Sequence, residues 1–212
     1  MVTALLEKKD VKKSEAAEEE VGPVPYHWTV DALYRALGAG VFEHPERLEL
    51  IQGRIIENMA QDPIHRSVRV RLARHLRVAL DARLVVIEEC PIHLAADGEL
   101  TPDVVVLSGM EADYDNRHPG PEDVAALVEV SNMTAAYDLG GKSVLYAQAG
   151  IGDYWVVLVN ENAVVRHRQP TSEGYAEVVR LAGQDTLSPL AAPEAAWTVD
   201  ALLGRTEAPE ED

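Results

Sequence analysis

The chain is short of cysteine, long apolar runs and positive charge, and each shortage removes a class of protein. Its single cysteine, Cys90, leaves no intramolecular disulfide framework and no Cys-based zinc site in 212 residues. That usage fits a reducing compartment, so a cytoplasmic location is expected. No run of about 18 apolar residues is present to span a bilayer. The first 20 residues, MVTALLEKKDVKKSEAAEEE, lack the apolar stretch of a signal peptide, so no membrane association is expected. Gly140, Gly141 and Lys142 lack the upstream glycine of a phosphate-binding P-loop. The histidines His27, His44, His75, His93, His118 and His167 are scattered, without the spacing of a zinc-binding helix.

Charge is the restrictive datum. Nineteen Lys and Arg face 36 Asp and Glu, a formal net charge of −17. The excess is not confined to the ends, because residues 26–204 hold 14 basic and 26 acidic side chains. Such a surface repels phosphate backbones at long range. A nucleic-acid function would need a divalent cation or a local basic patch.

What remains is 47% hydrophobic residues, enough for one core of ordinary size. A single domain is expected over residues 26–204. A Lys/Glu-rich extension over 1–25 and an acidic tail over 205–212 offer little to bury, and both are expected to be disordered. Thr29 before VDALYRAL reads as an N-capped helix, and RLELIQGRIIENM as a hairpin turning at Gln52 and Gly53. Residues 62–83 have the strongest helical period. Ile64, Val68, Leu72, Leu76 and Ala79 are expected on its apolar arc, with Arg66, Arg69, Arg74 and Arg77 opposite. Strands are expected over 84–94, 101–107 and 124–130, then a helix over 135–149 and a buried strand at DYWVVLV. A closing hairpin over 164–168 and 175–181 and a last helical turn over 198–203 complete the order. The fold class is α/β (α+β): an αβββαβ core, its mixed sheet flanked by helices, with an added hairpin before and after it.

Two acids sit in apolar surroundings. Asp103 opens DVVVL after Pro102, and Glu129 lies inside ALVEV. A carboxylate is costly to bury unless it is paired or bound to a cation, and two carboxylates with water suit Mg²⁺ or Mn²⁺. The plainer alternative makes Asp103 a turn residue and Glu129 an exposed strand end. Asp138 and Lys142, four apart with Tyr146 a turn further, are either a surface ion pair or an ammonium beside that metal. The arginine stripe is either a solvated face paired with acids or a phosphate-contacting surface for DNA. Cys90, Tyr154 and Trp155 read as core.

PDVVVL, then LVEVSNMTAAYDLGGKSVLYAQAGIGDYWVV, following LELIQGRII and His65, closely resembles the Uma-two family. Its members are described as restriction endonucleases of the PD-(D/E)XK nuclease superfamily. The resemblance runs from about Trp28 to Leu203. It implies a metal-dependent endonuclease in which Asp103 and Glu129 hold Mg²⁺ or Mn²⁺ and Lys142 is catalytic. Glu49 resembles an additional acid, and His65 the histidine that opens the long helix. The superfamily's lysine usually stands two residues after the second acid, where this chain has Ser131; in the resembled family it lies on the following helix. A homodimer is expected for duplex cleavage. The alternative is a nuclease fold kept as a DNA- or protein-interaction module, which the acidic charge favours.

Overall fold

The computed structural model describes residues 23–205. The segments expected to be disordered, 1–25 and 205–212, lie outside the described residues apart from 23–25 and Arg205. Helix α1 (Val30–Gly38) starts at Thr29, whose hydroxyl accepts the Ala32 N–H at 3.2 Å. Strands β1 (Leu48–Ile51) and β2 (Arg54–Glu57) form the expected hairpin. Its turn residues Gln52 and Gly53 take φ of 48° and 74°, the twist that closes a two-residue hairpin. Gly53 is required twice over, because a Cβ there would meet the His27 ring at 2.2 Å.

Helix α2 (Pro63–Ala79) begins as the sequence predicts, with the Asp62 carboxylate accepting the His65 N–H at 2.8 Å and Pro63 in the first turn. It stops short of residue 83. Leu80 turns extended and packs against the core, and the Asp81 carboxylate accepts the Arg83 N–H at 2.9 Å to restart the chain as a strand. The buried face comprises Val68, Arg69, Leu72, Ala73 and Leu76. Ile64 and Ala79, expected on that face, are exposed. Arg69 is not opposite the apolar arc but within it, since 100° steps place it between Leu76 and Ala73.

The strand expected over 84–94 is two strands in two sheets. β3 (Leu84–Glu88) ends where Glu89 takes a φ of 51° and Pro91 has no N–H to offer a ladder. The chain then enters β4 (Ile92–Ala95) and β5 (Gly98–Leu100). Pro102 likewise delays the next strand to β6 (Val104–Ser108), which precedes β7 (Val124–Ser131). Strands β8 (Asp153–Leu158), β9 (Ala163–Thr171) and β10 (Gly174–Ala182) follow. A small pair, β11 (Thr186–Leu187) with β12 (Trp197–Thr198), leads into α5 (Val199–Leu203), capped by Thr198.

The main sheet has the order β10-β9-β8-β7-β6-β3 and is antiparallel except for the parallel pair β7–β8. The expected αβββαβ core is therefore α2, β3, β6, β7, a crossover helix and β8, with β4 and β5 inserted between its first two strands. That insertion joins the first hairpin in a second sheet, β2-β1-β5-β4. Alternation along β6, β7 and β8 sends Val104, Val106, Val128, Val130 and Trp155 into the core that α2 and α5 share. Val105, Leu107, Leu127, Tyr154 and Val156 enter a second core on the other face. Burial on both faces explains the near-continuous apolar run of β8, and each such side chain contributes about 1.5–3 kcal/mol. Among the described residues no helix is long and apolar enough to cross a membrane.

The crossover helix is not the single α-helix expected over 135–149. It runs as α3 (Ala135–Tyr137), a π-turn (Asp138–Lys142) and α4 (Ser143–Gln148). Two glycines in the turn weaken the regular α geometry. Other groups take up the displaced carbonyls: Tyr154 donates to the Asp138 carbonyl at 2.9 Å, and the Ser143 hydroxyl lies 2.9 Å from those of Leu139 and Gly140.

Candidate active site

Five elements converge at one end of the main sheet. Asp103 immediately precedes β6, Glu129 lies in β7, Glu49 comes from β1 of the second sheet, and Lys142 closes the π-turn. His65 enters from the first turn of α2. All five candidate residues are thus brought together, and four of them line one cleft of about 140 Å³ with Gln61 and Asp138. Glu49 stands behind Lys142.

Glu129 shares a face of β7 with Leu127, toward α4, because strand side chains alternate. Its Oε1 accepts from Lys142 Nζ at 3.0 Å and from the Tyr146 hydroxyl at 2.9 Å. Glu129 is therefore not an exposed strand end. Lys142 also donates to Glu49 Oε1 at 2.9 Å, and its ammonium stands 5.9 Å from the centre of the Tyr137 ring. With the residue only 6% exposed, the surface-pair alternative fails, and its partner is not Asp138. The carboxylate of Asp138 accepts instead from Thr134 at 2.6 Å. Ser131, where the superfamily has its lysine, lies on the same face as Glu129 and meets the Thr134 hydroxyl at 3.3 Å.

Asp103 is held on three sides. Its Oδ2 accepts the Val130 N–H at 2.7 Å and faces His65 Nε2 at 3.1 Å, while Gln61 Nε2 lies 3.4 Å from Oδ1. It is therefore more than a turn residue. Gln61 is a contributor that sequence reasoning missed. It precedes the helix cap with no motif to mark it, and Arg69 orients its amide through a 2.8 Å bond to Oε1.

Electrostatics sets this cleft apart from the rest of the core. Burial pushes the Glu129 carboxyl up to about 8, opposed by Lys142 and reinforced by Asp103, Asp138 and Glu49. Burial also raises Asp138, against the Thr134 hydrogen bond. For Lys142 burial works against the charge, but Glu129 and Glu49 outweigh it and hold the ammonium protonated. Burial opposes protonation of His65 as well, yet the hydrogen bond and charge of Asp103 hold it above the ordinary imidazole value. Asp103, Glu129, Asp138 and Glu49, with Asp62 also lining the cleft, therefore face one ammonium and one titratable imidazole. Glu49 Oε2 and His65 Nδ1 are buried without a hydrogen-bond partner.

The arginine stripe does not form one face. Arg69 is buried and pairs with Glu88 at 3.3 Å and with Glu89. Arg77 pairs with Glu88 at 3.0 Å and donates to the Val86 carbonyl. Of these four arginines, Arg66 and Arg74 are the two that are exposed without an acidic partner among the described residues.

A family model described as "Putative restriction endonuclease", Uma2, matches residues 31–201. No curated protein matches the chain. Among solved structures, one described as "a putative nuclease belonging to DUF820 from Anabaena variabilis" aligns with a TM-score of 0.63 at 15% identity. The alignment covers 84% of this chain and 98% of that one, a likeness of fold. With the family model spanning every element from α1 into α5, and with it each residue of the cleft, the chain belongs to the Uma2 family of restriction-endonuclease-like proteins.

Proposed function

We propose that this protein is a Mg²⁺- or Mn²⁺-dependent endonuclease that hydrolyses DNA phosphodiester bonds. The observation that supports it is a solvent-open cleft lined by Asp103, Glu129 and a buried Lys142, whose ammonium pairs with Glu129 and with Glu49 behind it. The donor set fits a hard divalent ion. Carboxylate oxygens outnumber the cations beside them, and Glu49 Oε2 has no donor of its own. Asp103 and Glu129 would hold the ion, with Glu49 a further oxygen ligand or the acid that positions water. A bound Mg²⁺ or Mn²⁺ supplies polarisation of the phosphate and a water of lowered pKa. Lys142 would place its ammonium against the charge that develops on the phosphate, where preorganised donors act most strongly. His65, oriented by Asp103, would carry a proton at Nε2 beside the cleft. Arg66 and Arg74 would approach the DNA backbone. The described residues contain one such cleft per subunit, so duplex cleavage calls for a homodimer.

The test is incubation of plasmid DNA, single-stranded DNA and RNA with Mg²⁺ or Mn²⁺, wild type beside Asp103→Asn. Cleavage by the wild type, abolished by chelator and by the variant, is expected. Intact nucleic acid under every condition would overturn the proposal. The net charge of −17 would then favour a nuclease fold serving as an interaction module. Turnover of small phosphodiesters without DNA cleavage would instead mark a different hydrolase.

A further inference from the structure

A second cluster of metal-ligating side chains lies in the other sheet, assembled from segments that the sequence keeps apart. His93 of β4 and Glu99 of β5 are cross-strand partners. His118 comes from the loop over 108–123. One ligand atom from each of the three lies within 4.8 Å of the other two. Tyr34 of α1 bridges two of them, its hydroxyl donating to Glu99 Oε2 at 3.1 Å and meeting His118 Nε2 at 2.9 Å. The two imidazoles lie against each other with centroids 4.7 Å apart and planes tilted by 38°.

We propose that His93, Glu99 and His118 form a binding site for a Zn²⁺-class transition-metal ion, with Tyr34 as its positioning residue. Two imidazoles and one carboxylate are the donors of a three-ligand zinc site with a position left open, and imidazole nitrogen selects such ions over Mg²⁺. Bonds of about 2.0–2.1 Å in a tetrahedron place ligand atoms about 3.4 Å apart, so His93 Nε2 and Glu99 Oε2, now in direct contact, would move apart while the rest of the cluster adjusts within its 4.8 Å span. The backbone is already fastened for it. The His93 N–H donates to the Pro119 carbonyl at 3.0 Å, which ties the His118 loop to β4. On that loop, Arg117 grips the Asp123 carboxylate with bonds of 2.5 and 2.8 Å, and Gly120 N–H donates to the same group at 2.9 Å. Glu99 is a buried carboxylate, and His93 Nε2, in contact with its Oε2, is a buried nitrogen without hydrogen-bond geometry to any partner. A cation bound by both would give the His93 nitrogen the partner it lacks. Tyr34 and Glu99 also line a cavity of about 500 Å³ that reaches Glu49, so the open position has room for water or an exogenous donor. A bound ion would pin the His118 loop to the sheet that supplies Glu49 to the first cleft.

The test titrates Zn²⁺ into the chelator-stripped full chain by calorimetry, with excess Mg²⁺ present to occupy the carboxylate cleft. Co²⁺ serves as a second probe, read by the visible absorption of a low-coordinate ion. One equivalent is expected to bind, with at least about 100-fold weaker affinity in His118→Ala, beyond the 10–100-fold scale of outer-shell partners. Tyr34→Phe is expected to fall within that scale, and Asp103→Asn to bind Zn²⁺ as the wild type does. The His93→Ala, His118→Ala double variant, with folding checked by circular dichroism, should lose the Co²⁺ absorption. Absence of saturable binding in the wild type, binding undiminished in the double variant, or its loss in Asp103→Asn would each overturn the site. The readout is binding, so the nuclease proposal can fail without it, and it without the nuclease proposal.

Discussion

Replacing Lys142 with methionine keeps most of the side-chain volume and removes the one ammonium between two buried acids. Glu129 would retain only the Tyr146 hydroxyl, and Glu49 only the Thr101 N–H at 3.1 Å. Deleting one partner of a buried pair costs about 3–5 kcal/mol, because the uncompensated charge stays buried. Glu49 is left facing Glu129 without the ammonium, so a loss within that range is expected in chelator. The pH dependence has a definite sign. Burial raises the Glu129 carboxyl in the folded protein from 4.5 to about 8, so the folded state binds its proton more tightly than the unfolded chain does. Stability from that group is fully present below pH 4.5 and is lost as pH rises through about 8. Without Lys142, whose charge opposes the shift, the carboxyl rises further and the added loss appears above about pH 8. Urea denaturation of wild type and Lys142→Met at pH 5 and pH 8 measures it. The variant should lie about 3–5 kcal/mol below wild type at both values, since the Lys142–Glu49 pair is lost at each, with the gap widening only above about pH 8. A deficit under about 1 kcal/mol at both values would mean that Lys142 does not hold the two buried acids together.

Two further outcomes follow from neighbouring contacts. Asp103→Asn removes the group that raises the His65 pKa, leaving burial as the dominant influence, so the imidazole should titrate below its wild-type value. An NMR titration of the ring protons reads this directly, and an unchanged pKa would refute the Asp103 pairing. In wild type that pairing stabilises fully below the unfolded imidazole value of 6.5 and fades as pH climbs through the raised folded one. If DNA approaches the arginine helix, Arg66→Ala and Arg74→Ala should each lower the salt slope of binding by about 0.9 for a lost phosphate contact. Arg69→Met should leave that slope unchanged while costing about 2–3 kcal/mol of stability through its lost bonds to Glu88, Glu89 and Gln61. The reverse pattern in filter binding and thermal melting would sink this division of the stripe.

What the sequence by itself determined was local. Thr29, Asp62 and Thr198 mark helix starts because a short polar side chain satisfies the free N–H groups of the first turn. Gln52 and Gly53 mark the hairpin because they accept positive φ, and β8 is legible because a strand buried on both faces must be apolar throughout. Motif resemblance also singled out Asp103, Glu129, Glu49, Lys142 and His65, which the structure brings into one neighbourhood. Period alone misled where a residue's burial depended on a distant partner. Arg69 sits among leucines because Glu88, Glu89 and Gln61 wait there, and none of the three is visible from the helix pattern. Only the tertiary structure decided that residues 84–94 divide between two sheets, since the insertion of β4 and β5 is defined by pairing with β1, about fifty residues away. The same holds for Lys142. Its spacing offered Asp138 as a partner, but the π-turn and the second sheet delivered Glu49 and Glu129 instead. His93, Glu99 and His118 carry no motif, because their meeting is a product of strand register and loop anchoring, which act through backbone hydrogen bonds that any residue can make.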